Sequence, residues 1–123
     1  MMDFAAGTIL VVEDDSDTRE ALCEFLKQFG YSVRPAENGL SALHEIRTCD
    51  EPPALILLDL FMPVMDGYDF LRRVGNEGRI QRVPIILMTG DPWAPPSGVN
   101  AILTKPIKAE ILLRTVRGFL KAG

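Results

Sequence analysis

Reactive side chains stand where apolar runs end. Glu13, Asp14 and Asp15 close the run that starts at Thr8, and Asp59 closes ALILLD, Ala54 to Asp59. Thr89 closes PIILMT, Pro84 to Thr89, and Lys105 follows the short run Ala101 to Thr104. If these runs are parallel strands, their carboxyl ends share one edge of a sheet. That edge then carries several carboxylates, one hydroxyl and one ammonium. Clustered carboxylates repel one another, and a hard divalent cation with oxygen ligands, most commonly Mg²⁺, offsets them. A carboxylate can also act as a nucleophile toward a phosphoryl group. Phosphoryl transfer needs charge neutralisation and positioning more than covalent help. Each residue alone has a plainer reading. The acids at 13–15 suit the positive end of a following helix, Asp59 suits a solvated loop start, Thr89 a turn, and Lys105-Pro106 an extended dipeptide. Their joint order at four strand ends favours the chemical reading.

The elements that would position them alternate in type. Thr8 to Glu13 is too short for a helix and rich in β-branched residues, which predicts a buried strand. Ser16 or Asp17 can cap a helix, with Glu20 three residues after Asp17 as in a capping box. Ala21, Leu22, Phe25, Leu26 and Phe29 then fall on one face, and Gly30 supplies the stop. Ser32 to Arg34 is a short second strand, and Asn38-Gly39 marks a turn before a helix carrying Leu40, Leu43 and Ile46. A third strand ends at Asp59, and a loop with Pro63 and Asp66-Gly67 leads to a helix carrying Tyr68, Leu71 and Val74. A fourth strand ends at Thr89 and a fifth at Thr104. The last helix carries Ile111, Leu112, Thr115, Val116, Phe119 and Leu120. Strand–helix alternation throughout predicts an α/β fold, a parallel sheet covered on both faces. Its site should lie outside the carboxyl ends of the strands, where the strand order switches.

Composition sets the remaining bounds. The 123 residues are 47% hydrophobic, enough for a self-sufficient core, so one domain over residues 1–123 is expected. Thirteen Lys+Arg against 17 Asp+Glu give a net charge of −4, which argues against a basic face for direct nucleic-acid binding. Cys23 and Cys49 form no disulfide framework and lack metal-ligand spacing. No apolar run approaches the ~20 residues of a membrane span, and MMDFAAGT has no basic n-region. A cytoplasmic protein without membrane contact is expected.

The motifs ILVVEDD (Ile9 to Asp15), LLDLFMPVMDG (Leu57 to Gly67), PIILMTG (Pro84 to Gly90) and LTKP (Leu103 to Pro106) resemble those of response-regulator receiver domains of two-component signalling. The resemblance covers nearly the whole chain, and D-x-x-M-P-x-x-D-G is its most specific piece. It implies a flavodoxin-like doubly wound five-stranded parallel sheet of order 2-1-3-4-5. It implies Asp59 as phosphoacceptor, with Glu13, Asp14, Asp59 and the backbone carbonyl of Phe61 holding Mg²⁺. Thr89 would donate its hydroxyl to the phosphoryl group, Lys105 would pair with a phosphoryl oxygen, and Gly90 would be the small residue beside it. The Lys105–Pro106 bond would be cis. The phosphoryl donor would be a histidine on a partner, either a sensor histidine kinase or a histidine phosphotransfer protein. Phosphorylation would then change affinity for a downstream protein. The chain would not be an enzyme acting on an external substrate.

Two departures stand out. Ile102 occupies the place of the usual aromatic switch residue. The segment Gly90 to Asn100, GDPWAPPSGVN, has three prolines and no apolar helical stripe, so it predicts a loop largely replacing the fourth helix of such domains. Trp93 within it either covers the core or moves as the switch. These departures keep open a phosphorylation-independent protein-interaction module of the same fold. A flavodoxin-type small-molecule binder lacks support, since acids follow strand one where a phosphate loop would be needed. His44, the only histidine, sits on the predicted second helix and is not read as a ligand.

Overall fold

The computed structural model describes residues 7–91 and 95–120, apart from the side chain of Arg79. Strands β1 (Ile9–Val12), β2 (Val33–Ala36), β3 (Leu55–Asp59), β4 (Ile85–Thr89) and β5 (Ala101–Thr104) alternate with α1 (Ser16–Gln28), α2 (Gly39–Thr48), α3 (Gly67–Val74) and α4 (Ala109–Phe119). α4 follows β5. A single 3₁₀ turn, Gly78–Ile80, precedes β4. The strands form one sheet of order β2-β1-β3-β4-β5, and every pairing is parallel. This is the expected flavodoxin-like doubly wound arrangement, with its switch in order between β1 and β3.

Period-two alternation divides the apolar strand residues between two cores. Leu10, Val12, Ile56, Leu58 and Leu87 face α2 and α3, where Leu43, Ile46, Phe70 and Val74 pack. Ile9, Val11, Leu55, Leu57, Ile86 and Met88 face α1 and α4, meeting Cys23, Leu26, Leu112 and Val116. The central strands β1, β3 and β4 are buried throughout, as strands covered on both faces must be.

Several local expectations are corrected. The cap of α1 is Asp15, not Ser16 or Asp17: its Oδ2 accepts from the Thr18 amide at 2.9 Å. Asn38, read as a turn residue, caps α2 by accepting from Ser41 N, and Asp66, at the end of its loop, caps α3 by accepting from Asp69 N. Each precedes a glycine for a steric reason. A Cβ on Gly39 would meet Met65 O at 2.8 Å, and one on Gly67 would meet Leu60 Cα at 2.9 Å. β2 runs to Ala36 and includes Pro35, tolerated because β2 is an edge strand. Phe29 and Leu40, on the predicted apolar faces, lie exposed, and Cys23 takes a core place in α1. Gly30, at φ +88°, does end α1: its amide reaches Lys27 O and the Tyr31 amide reaches Leu26 O.

Between β4 and β5, the described residues 90–91 and 95–100 contain no helix, with a turn at Ser97 and Gly98. The reading of Trp93 lies outside the described residues. Val99 and Ile102 pack partly buried against the α2–α3 core.

Candidate functional site at the carboxyl edge of the sheet

β1 hands over to α1 through Glu13, Asp14 and Asp15 alone. The Glu13 amide is held by Ala36 O at 3.1 Å, which ties the exit of β1 to the end of β2. The Arg19 guanidinium, one turn into α1, donates Nη1 to Glu13 O at 2.9 Å and to Asp14 O at 3.4 Å. Thr18's hydroxyl and amide hold the Asp15 carboxyl below the usual carboxylate range. Asp59 is the last residue of β3, and the Leu60 amide beyond it is fixed by Met88 O at 3.1 Å.

This framework brings three acids together. Ligand oxygens of Glu13, Asp14 and Asp59 lie within 4.8 Å of one another, the one such group among the described residues. Glu13 and Asp59 are buried, at 2% and 3% exposure, while Asp14 is exposed. Lys105 reaches into the group from the end of β5. Its Nζ lies 2.7 Å from Asp59 Oδ1 and 3.8 Å from Glu13 Oε1. The Lys105–Pro106 bond is cis. Burial pushes Glu13 up to about 8, helped by the hydrogen bond and negative charge of Asp59, while Lys105 pulls it the other way. Burial pulls Lys105 down, but the hydrogen bond and charge of Asp59, with Glu13 and Asp14 behind it, outweigh that and raise it.

The fourth strand end behaves differently. Thr89 is buried, at 1% exposure, and its hydroxyl is engaged two residues onward. Oγ1 accepts from the Asp91 amide at 3.0 Å and contacts Asp91 O at 3.3 Å. Thr89 O accepts from the Lys105 amide at 2.8 Å, so the backbones of the β4 and β5 ends are joined. Phe61, two residues past Asp59 in the β3–α3 loop, is 59% exposed. Sequence reading brought Glu13, Asp14, Asp59, Thr89 and Lys105 to this edge. It missed Arg19 and the capping use of Asp15, whose only trace was their spacing from the acid pair.

All three clustered acids offer oxygen, and two are buried. That donor set fits a hard divalent cation. A cleft of about 390 Å³ opens beside Glu13 and Lys105, walled by Leu22, Phe25, Ile107 and Leu112.

A carboxylate–lysine site at the switch point of a 2-1-3-4-5 sheet defines the class structurally. Residues 9–117 match the response regulator receiver domain, and the chain belongs to that family. It is 30% identical over 118 residues to protein PilH of Pseudomonas aeruginosa, covering 91% of this chain and 96% of PilH. It is 31% identical over 119 residues to sensor histidine kinase CheAY of Helicobacter pylori, covering 92% of this chain but 15% of that protein. Response regulator MprA of Mycobacterium avium is 36% identical over 119 residues, which span 92% of this chain and 50% of MprA. Among solved structures, the receiver domain of a Pseudomonas aeruginosa sensor histidine kinase, with magnesium coordinated in its active-site cleft, superposes with TM-score 0.85 at 28% identity. That match covers 96% of this chain and 100% of the other. A chemotaxis protein of Vibrio cholerae gives 0.82 at 28% identity, covering 94% and 100%. The chain is thus a phosphoacceptor receiver domain of two-component signalling. No helix among the described residues is long and apolar enough to cross a membrane.

Proposed function

We propose that Asp59 accepts a phosphoryl group from a phosphohistidine on a sensor histidine kinase or histidine phosphotransfer protein. The observation that carries this reading is the setting of Asp59: buried, 2.7 Å from Lys105 Nζ, and grouped with Glu13 and Asp14. An Asp59 carboxylate oxygen attacks phosphorus, the P–O bond forms, the P–N bond breaks, and the imidazole leaves with the bonding pair. Glu13, Asp14, Asp59 and the Phe61 carbonyl would hold Mg²⁺. Bound there, the ion supplies charge neutralisation for the phosphoryl oxygens. Lys105 already lies at Asp59 and keeps a cation beside the incoming phosphoryl group. Thr89 and the adjoining Gly90 lie on the neighbouring strand end, from which the Thr89 hydroxyl can be redirected.

Residues 1–123 act as a single receiver domain in the cytoplasm, without direct nucleic-acid or membrane contact. The domain is not an enzyme toward an external substrate. It is read as a variant whose fourth helix is shortened, since the described residues 90–91 and 95–100 contain no helix. Acyl phosphate at Asp59 shifts a conformational equilibrium and changes affinity for a downstream protein.

The test is incubation with a small phosphodonor, with and without Mg²⁺, followed by intact mass. A Mg²⁺-dependent gain of one phosphoryl group is expected, and Asp59→Ala should abolish it. A gain that persists in Asp59→Ala would overturn the assignment.

A further inference from the structure

Arg19 belongs to no ligand set, yet it contacts the main chain of both residues of the acid pair. Its Nη1 donates to Glu13 O at 2.9 Å and, more weakly, to Asp14 O at 3.4 Å. The side chain is half-buried, and the Arg19 amide is itself anchored to Asp15 O at 2.9 Å, inside the α1 ladder. Glu13 is therefore gripped at both main-chain poles: its amide by Ala36 O and its carbonyl by Arg19. Asp14 is exposed, and the contact from Arg19 to its carbonyl ties its backbone to α1. A side chain can hold a fixed direction only if the peptide planes on either side of its Cα are fixed. In the short link between β1 and α1, Arg19 fixes the planes that follow Glu13 and Asp14.

We propose that Arg19 is a positioning residue for the divalent-cation site: its guanidinium locks the Glu13 and Asp14 carbonyls so that both carboxylates face Asp59. This rests on the metal reading of the acid group given above. The arrangement sets two physical effects against each other. A permanent cation beside an acid cluster weakens binding of a second cation by simple Coulomb repulsion. A guanidinium ordering the ligands strengthens binding by removing the entropy of arranging them. A hydrogen bond from a charged donor is among the stronger ones, whereas repulsion at a solvent-facing edge is screened by salt. Positioning therefore wins, and losing Arg19 should weaken the site despite removing a positive charge.

The sign of the effect is the test. Mg²⁺ is titrated calorimetrically into wild type, Arg19→Ala, Arg19→Lys and Asp14→Ala. Arg19→Ala should bind Mg²⁺ about tenfold more weakly. Arg19→Lys, with the charge but a single-point donor, should fall between it and wild type. Metal-free melting is recorded alongside, because a merely structural role lowers the melting temperature without touching Mg²⁺ affinity. Unchanged or tighter binding by Arg19→Ala overturns the inference, as does Arg19→Lys binding as tightly as wild type. Were Arg19→Ala to fail to fold, the same sign is read on Arg19→Gln. Asp14→Ala separates the two claims. If it binds Mg²⁺ normally, the metal reading fails; if it loses Mg²⁺ while Arg19→Ala does not, only the role of Arg19 fails.

Discussion

The two halves of the acceptor edge differ in how far they are assembled. At the ends of β1, β3 and β5, Lys105, Asp59 and Glu13 already form a contact group, with Lys105 Nζ at 2.7 Å and 3.8 Å from the two acids. At the end of β4, the Thr89 hydroxyl is spent on the Asp91 backbone. In the first half the Lys105 ammonium offsets the buried acids it touches, so electrostatics fixes the group before any phosphoryl group arrives. The second half has a neutral hydroxyl, which a local turn satisfies equally well. A charged half can be prepared for chemistry, whereas a neutral half can be left to respond. On the proposed reading, acceptance of phosphate at Asp59 and its reporting through Thr89 should be separable.

The sharpest way to break that comparison is to remove one member of each half. Lys105→Ala should still accept phosphate at Asp59, at a rate about tenfold lower, or ~1.4 kcal/mol of barrier. It should lose phosphorylation-dependent partner binding. Thr89→Ala should accept phosphate within about threefold of wild type, under ~1 kcal/mol, yet fail in the response. Phosphorylation by small donor, read beside partner pull-down, checks both. Equal loss of acceptance in the two variants would erase the distinction.

A second pair sharpens the boundary of the prepared half. Asp14→Ala should remove most of the Mg²⁺-induced rise in melting temperature, since binding stabilises by mass action. Asp15→Ala should keep that rise and instead lower the melting temperature equally with and without Mg²⁺, the usual effect of losing a helix cap. Melting curves with and without Mg²⁺ distinguish the two signatures.

A further expected effect is a pH dependence. In the fold, Glu13 is pushed up to about 8 from an ordinary 4.5. The folded protein thus binds this proton more tightly than the unfolded chain. Its contribution to stability is complete below pH about 4.5 and is lost as pH rises through about 8. Metal-free melting should show a stability decline across this window that Glu13→Gln flattens. A slope left unchanged by Glu13→Gln would contradict the electrostatic picture of the prepared half.

The sequence carried this site well because its determinants are strand ends. Apolar runs of fixed length deliver Glu13, Asp59, Thr89 and Lys105 to one edge wherever the strands are parallel. Less legible was what happens around them. Asn38-Gly39 read as a turn, and Asp66-Gly67 as part of a loop, because the same residue types serve turns, loops and caps. Only the tertiary contacts of Gly39 with Met65, and of Gly67 with Leu60, show why a glycine opens each helix. Phe29 and Leu40 followed a helical period but lie exposed, since period alone gives a face and not its depth. Arg19 escaped notice because its partners are carbonyls, which every residue has. The Thr89 hydroxyl could not be aimed from sequence at all: a buried threonine at a strand end serves a local turn or a ligand with equal ease.

The claim that one half is prepared and the other responds can be read from two amides. The Asp91 amide bonds to Thr89 Oγ1, and the Glu13 amide bonds to Ala36 O. Hydrogen exchange at both is followed by NMR in Mg²⁺ alone and in Mg²⁺ with beryllofluoride, a phosphoryl mimic. Protection at Asp91 should fall on adding the mimic, as the Thr89 hydroxyl leaves it, while Glu13 stays within about twofold of its Mg²⁺-only rate, ~0.4 kcal/mol. A bound mimic that leaves Asp91 unchanged, or that alters Glu13 equally, would contradict the account.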